Sequence, residues 1–332
     1  MTVKVIEDKE IWDKFVDDSP YGLIFHKYEF LKILEKYSGY KLIPYATYRG
    51  EEMTCLFPLF FKRQNGLRMV FSPPPGMCIP YLGPVMSPLY DTLKQRKKES
   101  YYNAITDEIL GEIQKFSPNY VFISAVPRLG DIRPFKWNGY SAGINYTYVI
   151  DLDRPLEDIW AGFDSNCKKS IKACEKHNLT MREVDDVDTF YRIMKERFAE
   201  QKMSSPIVSP QYLKDLMSAY PENVKMHFLY KDQEIACITL NCEYKGRLMF
   251  WMGEVNTLKD IAGNEYQKWE CIKKAKAEGF GEVELEGASI KQLCMYKSKF
   301  NPSIEHNFLI NKKDTLGNIA EWAYMNLVRK KV

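Results

Sequence analysis

The part of the sequence richest in groups that could do chemistry pairs aromatic rings with lysines, and it reads Tyr-Lys-Ser-Lys-Phe from Tyr296 to Phe300. A lysine held near an aromatic wall can stabilise a developing oxyanion or hold a phosphate, and the rings can stack on a nucleobase. Lys297 and Lys299 are therefore candidates for charge stabilisation, with Tyr296 and Phe300 as stacking walls. The spacing alone, however, favours an ordinary basic loop with an aromatic anchor.

A second group of cations lies on an amphipathic helix that we expect over 155–178. Its apolar residues recur every three or four positions and form one continuous stripe, which comprises Leu156, Trp160, Phe163, Cys167, Ile171 and Cys174. Lys168, Lys169 and Lys172 lie off this stripe, where they could contact phosphates. A basic helix face is more often simple solvated surface, and Trp160 is expected to pack in the core.

Other kinds of site find no support in the sequence. It contains neither of the glycine-rich loops that hold nucleotide phosphates, G-x-G-x-x-G and G-x-x-x-x-G-K-[ST], and no G-x-S-x-G nucleophile elbow. The four histidines stand alone and the eight cysteines form no C-x-x-C pair, so no metal site is predicted. We expect the cysteines to be free thiols in a reducing compartment.

The elements that must position these residues follow from periodicity and turn signals. In the first half we expect a helix over 25–37 ended by Gly39, strands over 42–48 and 54–62, a stiff proline loop around 73–75, a helix over 89–116 and a strand over 120–125. Residues 128–145 are expected to be a linker, because Arg133-Pro134 and Asn138-Gly139 are turn signals.

In the second half, a strand over 146–152 precedes the basic helix, and another amphipathic helix is expected over 187–202. An antiparallel meander follows, with strands over 226–230, 235–242 and 247–253. The remaining predicted elements are a helix over 264–278, strands over 282–286 and 307–310, and a terminal helix over 314–329. Asn264 begins the first of these helices, whose free N–H groups could attract an anion.

Length and composition set the broad class of the protein. A chain of 332 residues exceeds the ~250–300 residues at which one core usually stops growing, so we expect two domains divided near 145–151. The chain is 45% hydrophobic, has no apolar run of roughly 18 residues and does not start with a signal peptide, so we expect a globular, cytoplasmic protein. The net charge is only +3, yet residues 291–332 contain eight basic and three acidic residues, so near-neutrality does not exclude a phosphate-bearing partner.

Four stretches, taken together in their order along the chain, resemble the motifs of one family. The first is the helix from Ile24, with the later Phe57-Pro-Leu-Phe, and the second is the Lys168–Ala173 run that follows Ile159-Trp160. The third is the segment Gly263-Asn264-Glu265-Tyr266, with Trp269. The fourth is Tyr296–Asn301, which lies where the family has the motif F-K-x-x-F-G. That family is the FemAB group of peptidyl aminoacyltransferases, which are built on two GNAT-type acyltransferase folds. The similarity extends over nearly the whole chain, although each motif is short.

The resemblance implies a fold. It would be α/β (α+β), with two GNAT-like domains over 1–148 and 149–332, each a mixed, largely antiparallel sheet flanked by helices, and with a cleft between them. The terminal helix, 314–330, would return to the first domain.

The resemblance also implies a reaction and a set of site residues. The protein would be an N-acyltransferase that passes an aminoacyl group from aminoacyl-tRNA to an amine of a nucleotide- or lipid-linked peptide precursor of the cell envelope, without a cofactor or a metal. Lys297 would stabilise the tetrahedral intermediate while Tyr296 contacts the end of the tRNA. The other residues expected to bind substrate are Phe300, Lys299, Lys168, Lys169, Lys172 and Asn264.

Departures from the family pattern keep two alternatives open. Tyr296 replaces the first Phe of the motif and Asn301 its final Gly, although Asn tolerates the left-handed conformation that a glycine would adopt. The long helical hairpin with which some members grip tRNA has no counterpart. The acyl-CoA signature [QR]-x-x-G-x-[GA] is not matched by Lys259–Asn264, which lies in the corresponding place. The alternatives are a GNAT N-acetyltransferase that uses acetyl-CoA or another acyl-CoA, and a non-catalytic GNAT-fold binding protein.

Overall fold

The computed structural model describes residues 1–202 and 207–323, which fold as two compact units. Unit 1 contains residues 1–144, 207–208 and 307–323, and unit 2 contains residues 145–202 and 209–306. The sequence-based division lies at 148/149, with a terminal helix over 314–330 that returns to the first domain. In the structure the whole described segment 307–323, strand as well as helix, lies in unit 1. The last nine residues of the chain, 324–332, which include the end of the expected terminal helix, lie outside the described residues.

Unit 1 is built on a mixed sheet. Its strands are β1 (Thr2–Val5), β2 (Lys41–Arg49), β3 (Glu52–Gln64), β4 (Leu67–Ser72), β5 (Val85–Met86), β6 (Tyr120–Ser124) and the end of β13 (Ser303–Lys313). They lie in the order β1, β2, β3, β4, β6 and β13, with β5 beside β3. Only β4 and β6 pair in parallel, because the chain between them crosses over through a helix.

The helices of unit 1 are α1 (Lys9–Asp18), α2 (Tyr28–Ser38), α3 (Leu89–Thr92), α4 (Gln95–Lys115), α5 (Arg133–Trp137) and α12 (Thr315–Ala323). Gly39 ends α2 in a left-handed conformation, as predicted. The single helix expected over 89–116 is interrupted, since Leu93 and Lys94 have extended backbones. The expected linker contains α5, because Pro134 occupies the first turn of a helix, where its missing N–H costs nothing.

Unit 2 is built on mixed, largely antiparallel strands. Its strands are β7 (Ser141–Asp151, from residue 145 on), β8 (Leu179–Val184), β9 (Val224–Lys231), β10 (Glu234–Tyr244), β11 (Arg247–Asn256) and β12 (Glu282–Glu284). They lie in the order β7, β12, β11, β10, β9 and β8, and only β11 and β12 pair in parallel. The strands and flanking helices of the two units confirm the predicted α/β class.

The helices of unit 2 are α6 (Leu156–Gly162), α7 (Ser165–Cys174), α8 (Val187–Glu200), α9 (Pro210–Ala219), α10 (Gly263–Ala277) and α11 (Lys291–Lys297), and a 3-10 turn over Ser298–Phe300 follows α11. The helix expected over 155–178 is two helices, because Asp164 accepts hydrogen bonds from Asn166 N and Cys167 N and so begins a new helix. The apolar stripe still packs into the core of the unit. Among the described residues, no helix is both long enough and apolar enough for a membrane crossing.

Candidate functional site

The candidate site lies in unit 2, at the point where β11 and β12 part. The ladder joins Arg247–Met249 of β11 to Glu282–Glu284 of β12, but β11 continues to Asn256 while the chain of β12 turns away. The turn includes Glu286, whose φ of 57° is left-handed. We call this place, where residues 285–287 leave β12 beside residues 250–254 of β11, the fork.

A β-bulge presents Glu254 at the fork. Ile238 pairs with Val255 and Thr239 with Gly253, so Glu254 is the extra residue of β11, and its φ of 56° is left-handed. Asn264 Nδ2, at the start of α10, donates a hydrogen bond of 2.8 Å to Glu254 O. Such a bulge takes a residue out of the ladder and redirects its side chain, and bulges are frequent next to active sites.

Lys297, the last residue of α11, places its ammonium group at the fork. The residue is 5% exposed, and its Nζ donates to Leu285 O and, at 3.2 Å, to Glu286 O. It also lies 3.4 Å from Glu254 Oε2. Gly287 makes this approach possible, because a Cβ there would lie 3.3 Å from Lys297 Nζ. Burial lowers the pKa of Lys297, and the nearby Glu286 and Glu284 carboxyls oppose that shift.

A second lysine, Lys268 on α10, meets the same carboxylate from the other side. It is 1% exposed and its Nζ contacts Glu254 Oε1. The Nζ also lies 3.7 Å from the centroid of the Phe250 ring, a short cation–π contact. Burial and the positive charge of Lys297 hold the pKa of Lys268 well below its usual range. Glu254 therefore bridges two buried lysines.

Glu286 adds a carboxyl group to the fork. Burial raises its pKa to about 8, although the charge of Lys297 works in the opposite direction. Burial thus favours the protonated form of Glu286, whereas the Glu254 carboxyl lies between two lysine nitrogens.

The sequence-predicted residues of the Tyr296–Phe300 segment come together with this cluster. The Tyr296 and Phe300 rings meet edge to face at 6.0 Å, and Lys299 Nζ lies 5.4 Å above the Tyr296 ring and 3.8 Å from Glu265. Phe300 was expected to be a stacking wall, but it is 1% exposed and packs against Phe163, so its faces are covered. Phe300 supports the Tyr296 ring from behind.

The structure gives the other expected binding residues different surroundings. Lys168 Nζ donates to Ala161 O at 2.9 Å, which ties it to the end of α6. Lys169 and Lys172 are not buried, and neither joins the cluster at the fork. Both ends of the Asn264 amide make protein contacts, since its Oδ1 lies 2.6 Å from Cys237 Sγ and its Nδ2 bonds Glu254 O. Asn264 therefore holds the bulge, where an anion-binding role was expected.

Sequence reasoning missed Glu254, Lys268 and Glu286. One signal for Lys268 was present, because it occupies a position of the buried stripe of α10 that continues through Ile272 and Ala275. A lysine in such a position needs a buried partner. The bulge that presents Glu254 depends on strand register, which the sequence does not display. Across the described residues, no group of three or more His, Cys, Asp or Glu side chains could hold a metal ion.

Known proteins similar to this chain support its acyltransferase character. Residues 162–297 match the family model described as an acetyltransferase (GNAT) domain. The crystal structure of FemX is similar with a TM-score of 0.71 and 12% identity, over 93% of this chain and 97% of that one. The structure of L-PGS from Bacillus licheniformis has a TM-score of 0.59 and 12% identity, over 97% of both chains. A tandem GNAT protein from the clavulanic acid biosynthesis pathway has a TM-score of 0.51 and 11% identity, over 93% of this chain and 98% of that one. No curated protein matches the chain in sequence.

Proposed function

We propose that this chain, whose fold is similar to that of FemX and whose residues 162–297 match a GNAT acetyltransferase domain, transfers an aminoacyl group from aminoacyl-tRNA to an amine of a nucleotide- or lipid-linked peptide precursor of the cell envelope. The observation that carries this proposal is the Lys297 ammonium group at the fork. The backbone carbonyls of Leu285 and Glu286 hold this group, and the preceding residue, Tyr296, supplies an aromatic ring. This is a group that can bind an oxyanion, next to a ring on which a base can stack.

Aminoacyl transfer from an ester to an amine needs few catalytic side chains. The amine attacks the ester carbonyl carbon, a C–N bond forms, and the carbonyl oxygen becomes an oxyanion. The intermediate then collapses, the C–O bond breaks, and the ribose hydroxyl of the tRNA leaves with a proton. An ester is already activated, so the enzyme must mainly position the reactants and stabilise the oxyanion.

The geometry of Lys297 suits that role. An ammonium group has three N–H donors, and the carbonyls of Leu285 and Glu286 accept two of them. The third is on the side of Glu254, whose Oε2 is 3.4 Å away, longer than a strong charge-assisted bond. An oxyanion that develops at the fork can take over this donor.

The start of α10 favours an aminoacyl ester over a coenzyme A thioester. A helix N-terminus that holds a pyrophosphate needs free N–H groups and a positive field. Here the first turn carries the mostly buried carboxylate of Glu265, which already faces Lys299, and the amide of Asn264 is committed to the bulge. A carboxylate in this position competes with an incoming phosphate.

Transfer assays with Lys297→Ala test the proposal. The protein is supplied with tRNA charged with a labelled amino acid and with UDP-linked or lipid-linked peptide acceptors. We expect kcat to fall about 10²–10³-fold in the variant, the range found when an oxyanion donor is removed. The matched control is Lys291→Ala at the exposed start of the same helix, which should retain wild-type turnover. Unchanged turnover in a folded Lys297→Ala protein would contradict the assignment.

An acyl-CoA-dependent N-acyltransferase is the second candidate, because the matching family model describes an acetyltransferase domain. Calorimetric titration with acetyl-CoA separates the two. Stoichiometric binding with transfer of acetyl to an amine would favour coenzyme A, whereas transfer from charged tRNA alone would favour the first proposal. A protein that binds an envelope precursor but transfers from neither donor would be the non-catalytic alternative.

A further inference from the structure

Lys268 is a buried charge-bearing group for which the transfer chemistry described above has no use. It is 1% exposed, and it lies between the Phe250 ring, 3.7 Å from its Nζ, and the Phe300 ring at 5.7 Å. Its one described carboxylate contact is Glu254. A lysine in an apolar environment is expensive to keep charged, so its presence needs a reason.

The surroundings of Lys268 disfavour its ammonium form. The groups that face it from the neighbouring elements are the Glu254 carboxylate on β11, the Lys297 ammonium on α11, and the thiols of Cys237 on β10, Cys167 on α7 and Cys271 on α10 itself. The thiols stay protonated because burial raises their pKa values. One carboxylate is therefore shared by two lysines, and like charges this close together do not both persist.

The proton goes to the lysine with the better acceptors. Lys297 has two carbonyl oxygens and Glu254, and all three stabilise an ammonium group. Lys268 has Glu254 and the face of a phenyl ring. These contacts favour the ammonium form of Lys297 and the uncharged form of Lys268, and burial of Lys268 acts in the same direction on its pKa.

We propose that Lys268 is the proton acceptor of the transfer reaction and that Glu254 relays the proton to it. The inference rests on the proposed function, and it adds a step to it. The attacking amine bonds to the ester carbon, and its nitrogen then gives a proton to Glu254 Oε2. Rotation of the carboxyl group about its Cγ–Cδ bond then brings this same proton to the free electron pair of Lys268 Nζ, which becomes an ammonium group.

The return step closes the cycle. When the C–O bond breaks, the leaving ribose oxygen takes a proton from Glu254, and Lys268 returns its proton to that carboxylate. No oxidant, metal or further reactant is needed. Glu254, whose side chain is 18% exposed, can reach a substrate, while Lys268 acts through Glu254 as a positioning and relay residue.

The charge state of Lys268 can be tested without any substrate, through Lys268→Met. Below a pH of about 10.4 the lysine of the unfolded chain is protonated. At pH 7 a lysine that is uncharged in the fold must lose its proton when the chain folds, which destabilises the wild type. At pH 10.5 the unfolded chain has already lost much of this proton, so the destabilisation is much smaller. We expect Lys268→Met to raise the free energy of unfolding, and to do so more at pH 7 than at pH 10.5. The control Lys273→Met, an exposed lysine of the same helix, should show no such pH dependence.

The kinetic test measures the pH profile of transfer from charged tRNA. Activity of the wild type should fall on the acid side as Lys268 becomes protonated. In Lys268→Met and in Glu254→Gln, kcat should fall about 10–10²-fold, somewhat below the full range of general acid–base catalysis because the acceptor amine can lose its proton to water. In both variants the fall in activity on the acid side of the pH profile, the acid limb, should disappear, while KM for the tRNA stays the same.

Three results would overturn the inference. The first is a Lys268→Met protein that keeps the wild-type kcat and the acid limb. The second is a Lys268→Met protein that is destabilised equally at pH 7 and pH 10.5, which would mean that the lysine is charged in the fold. The third is a wild-type protein that transfers from no donor, which overturns the proposed function itself, and the stability measurements then still decide the charge state of Lys268.

Discussion

At the scale of single residues, Lys297 and Lys268 show how two lysines of one cluster can favour different protonation states. Backbone carbonyls hold Lys297 and keep its ammonium form useful as a donor. An aromatic ring and a shared carboxylate surround Lys268 and favour its free amine. The difference depends on what each nitrogen touches, and the residue type alone does not predict it.

Tyr296 offers a prediction at the same scale. Within the described chain its hydroxyl is buried and no hydrogen-bond partner lies in reach. Tyr296→Phe removes this unpaired group and restores the aromatic residue that the FemAB motif has. We expect the free energy of unfolding, measured with urea, to rise by about 1–2 kcal/mol. Transfer should change by less than about threefold, because the ring that stacks is retained.

A tyrosine with a satisfied hydroxyl provides the control for this prediction. Tyr120 donates to Glu321 at 3.0 Å, so Tyr120→Phe should lower the free energy of unfolding. If both variants shift stability in the same direction, the Tyr296 hydroxyl is bonded in solution. A tenfold loss of transfer in Tyr296→Phe would show that the hydroxyl contacts a substrate.

At the scale of elements, the bulge of β11 and the helix α10 build the site together. α10 begins at Gly263, where a Cβ would lie 2.5 Å from Asn256 Oδ1, so the helix starts close against β11. Asn264 then bonds the bulged Glu254, and Lys268 follows one turn later on the buried side. A change in where this helix begins would therefore move the carboxylate and the lysine at once.

The same helix predicts a pH effect through His227 on β9. His227 is 2% exposed and its Nε2 lies 3.3 Å from Lys274 Nζ on α10. Burial, together with the charges of Lys274 and Lys225, lowers the pKa of His227 to about 4. The unfolded chain takes up this proton below a pH of about 6.5, so the fold loses stability as the pH falls from 6.5 towards 4, by about 2–3 kcal/mol at pH 4.5.

Unfolding of His227→Gln at pH 7 and at pH 4.5 measures this contribution. The variant should lose about 2–3 kcal/mol less than the wild type over that interval, because the unfolded chain has one fewer proton to bind. The exposed His177, changed to Gln, is the control and should lose as much as the wild type. Equal losses in all three proteins would mean that His227 is protonated in the fold.

The elements also show what the sequence could and could not predict. The meander β9–β11, the helix α10 and the end of α2 at Gly39 follow from alternation, periodicity and a left-handed glycine. The strand β8 was missed because its burial is partial, and α9 because its apolar face covers only ten residues. Lys297 was singled out by its place between aromatic residues, and the resemblance gave it a role. Glu254, in contrast, depends on a register shift between two strands, which no single stretch of sequence contains.

At the scale of the whole molecule, the last described part of the chain completes the first unit. Residues Leu309–Lys313 of β13 pair with β6, and Asp314 exchanges hydrogen bonds with Asn119. Lys313 and Tyr120 both bind Glu321 on α12. These contacts place a strand and a helix from beyond residue 306 in unit 1, a placement that composition and length do not predict.

Gly317 on α12 tests how firmly this segment is attached. A Cβ there would lie 2.1 Å from Asn119 O, so Gly317→Ala forces the helix away from its place. We expect the free energy of unfolding to fall by about 1–3 kcal/mol, as for other overpacked sites. Urea unfolding followed by circular dichroism measures it.

Gly111 in the middle of α4 is the matched control. Nothing lies within 4 Å of the position that a Cβ would take there, so Gly111→Ala should raise the free energy of unfolding by about 0.5–1 kcal/mol through helix propensity. Equal gains in both variants would show that α12 does not pack on Asn119 in solution.

The late closure of unit 1 sets an order of events during synthesis. Residues 145–306 include all of unit 2, which can form as soon as they emerge from the ribosome, whereas residues 1–144 must wait for 307–323. Until then the edge of β6 that will pair with β13 is open. At about 5–20 residues per second this interval lasts roughly 10–40 s, during which the nascent first unit presents an unpaired strand to other chains.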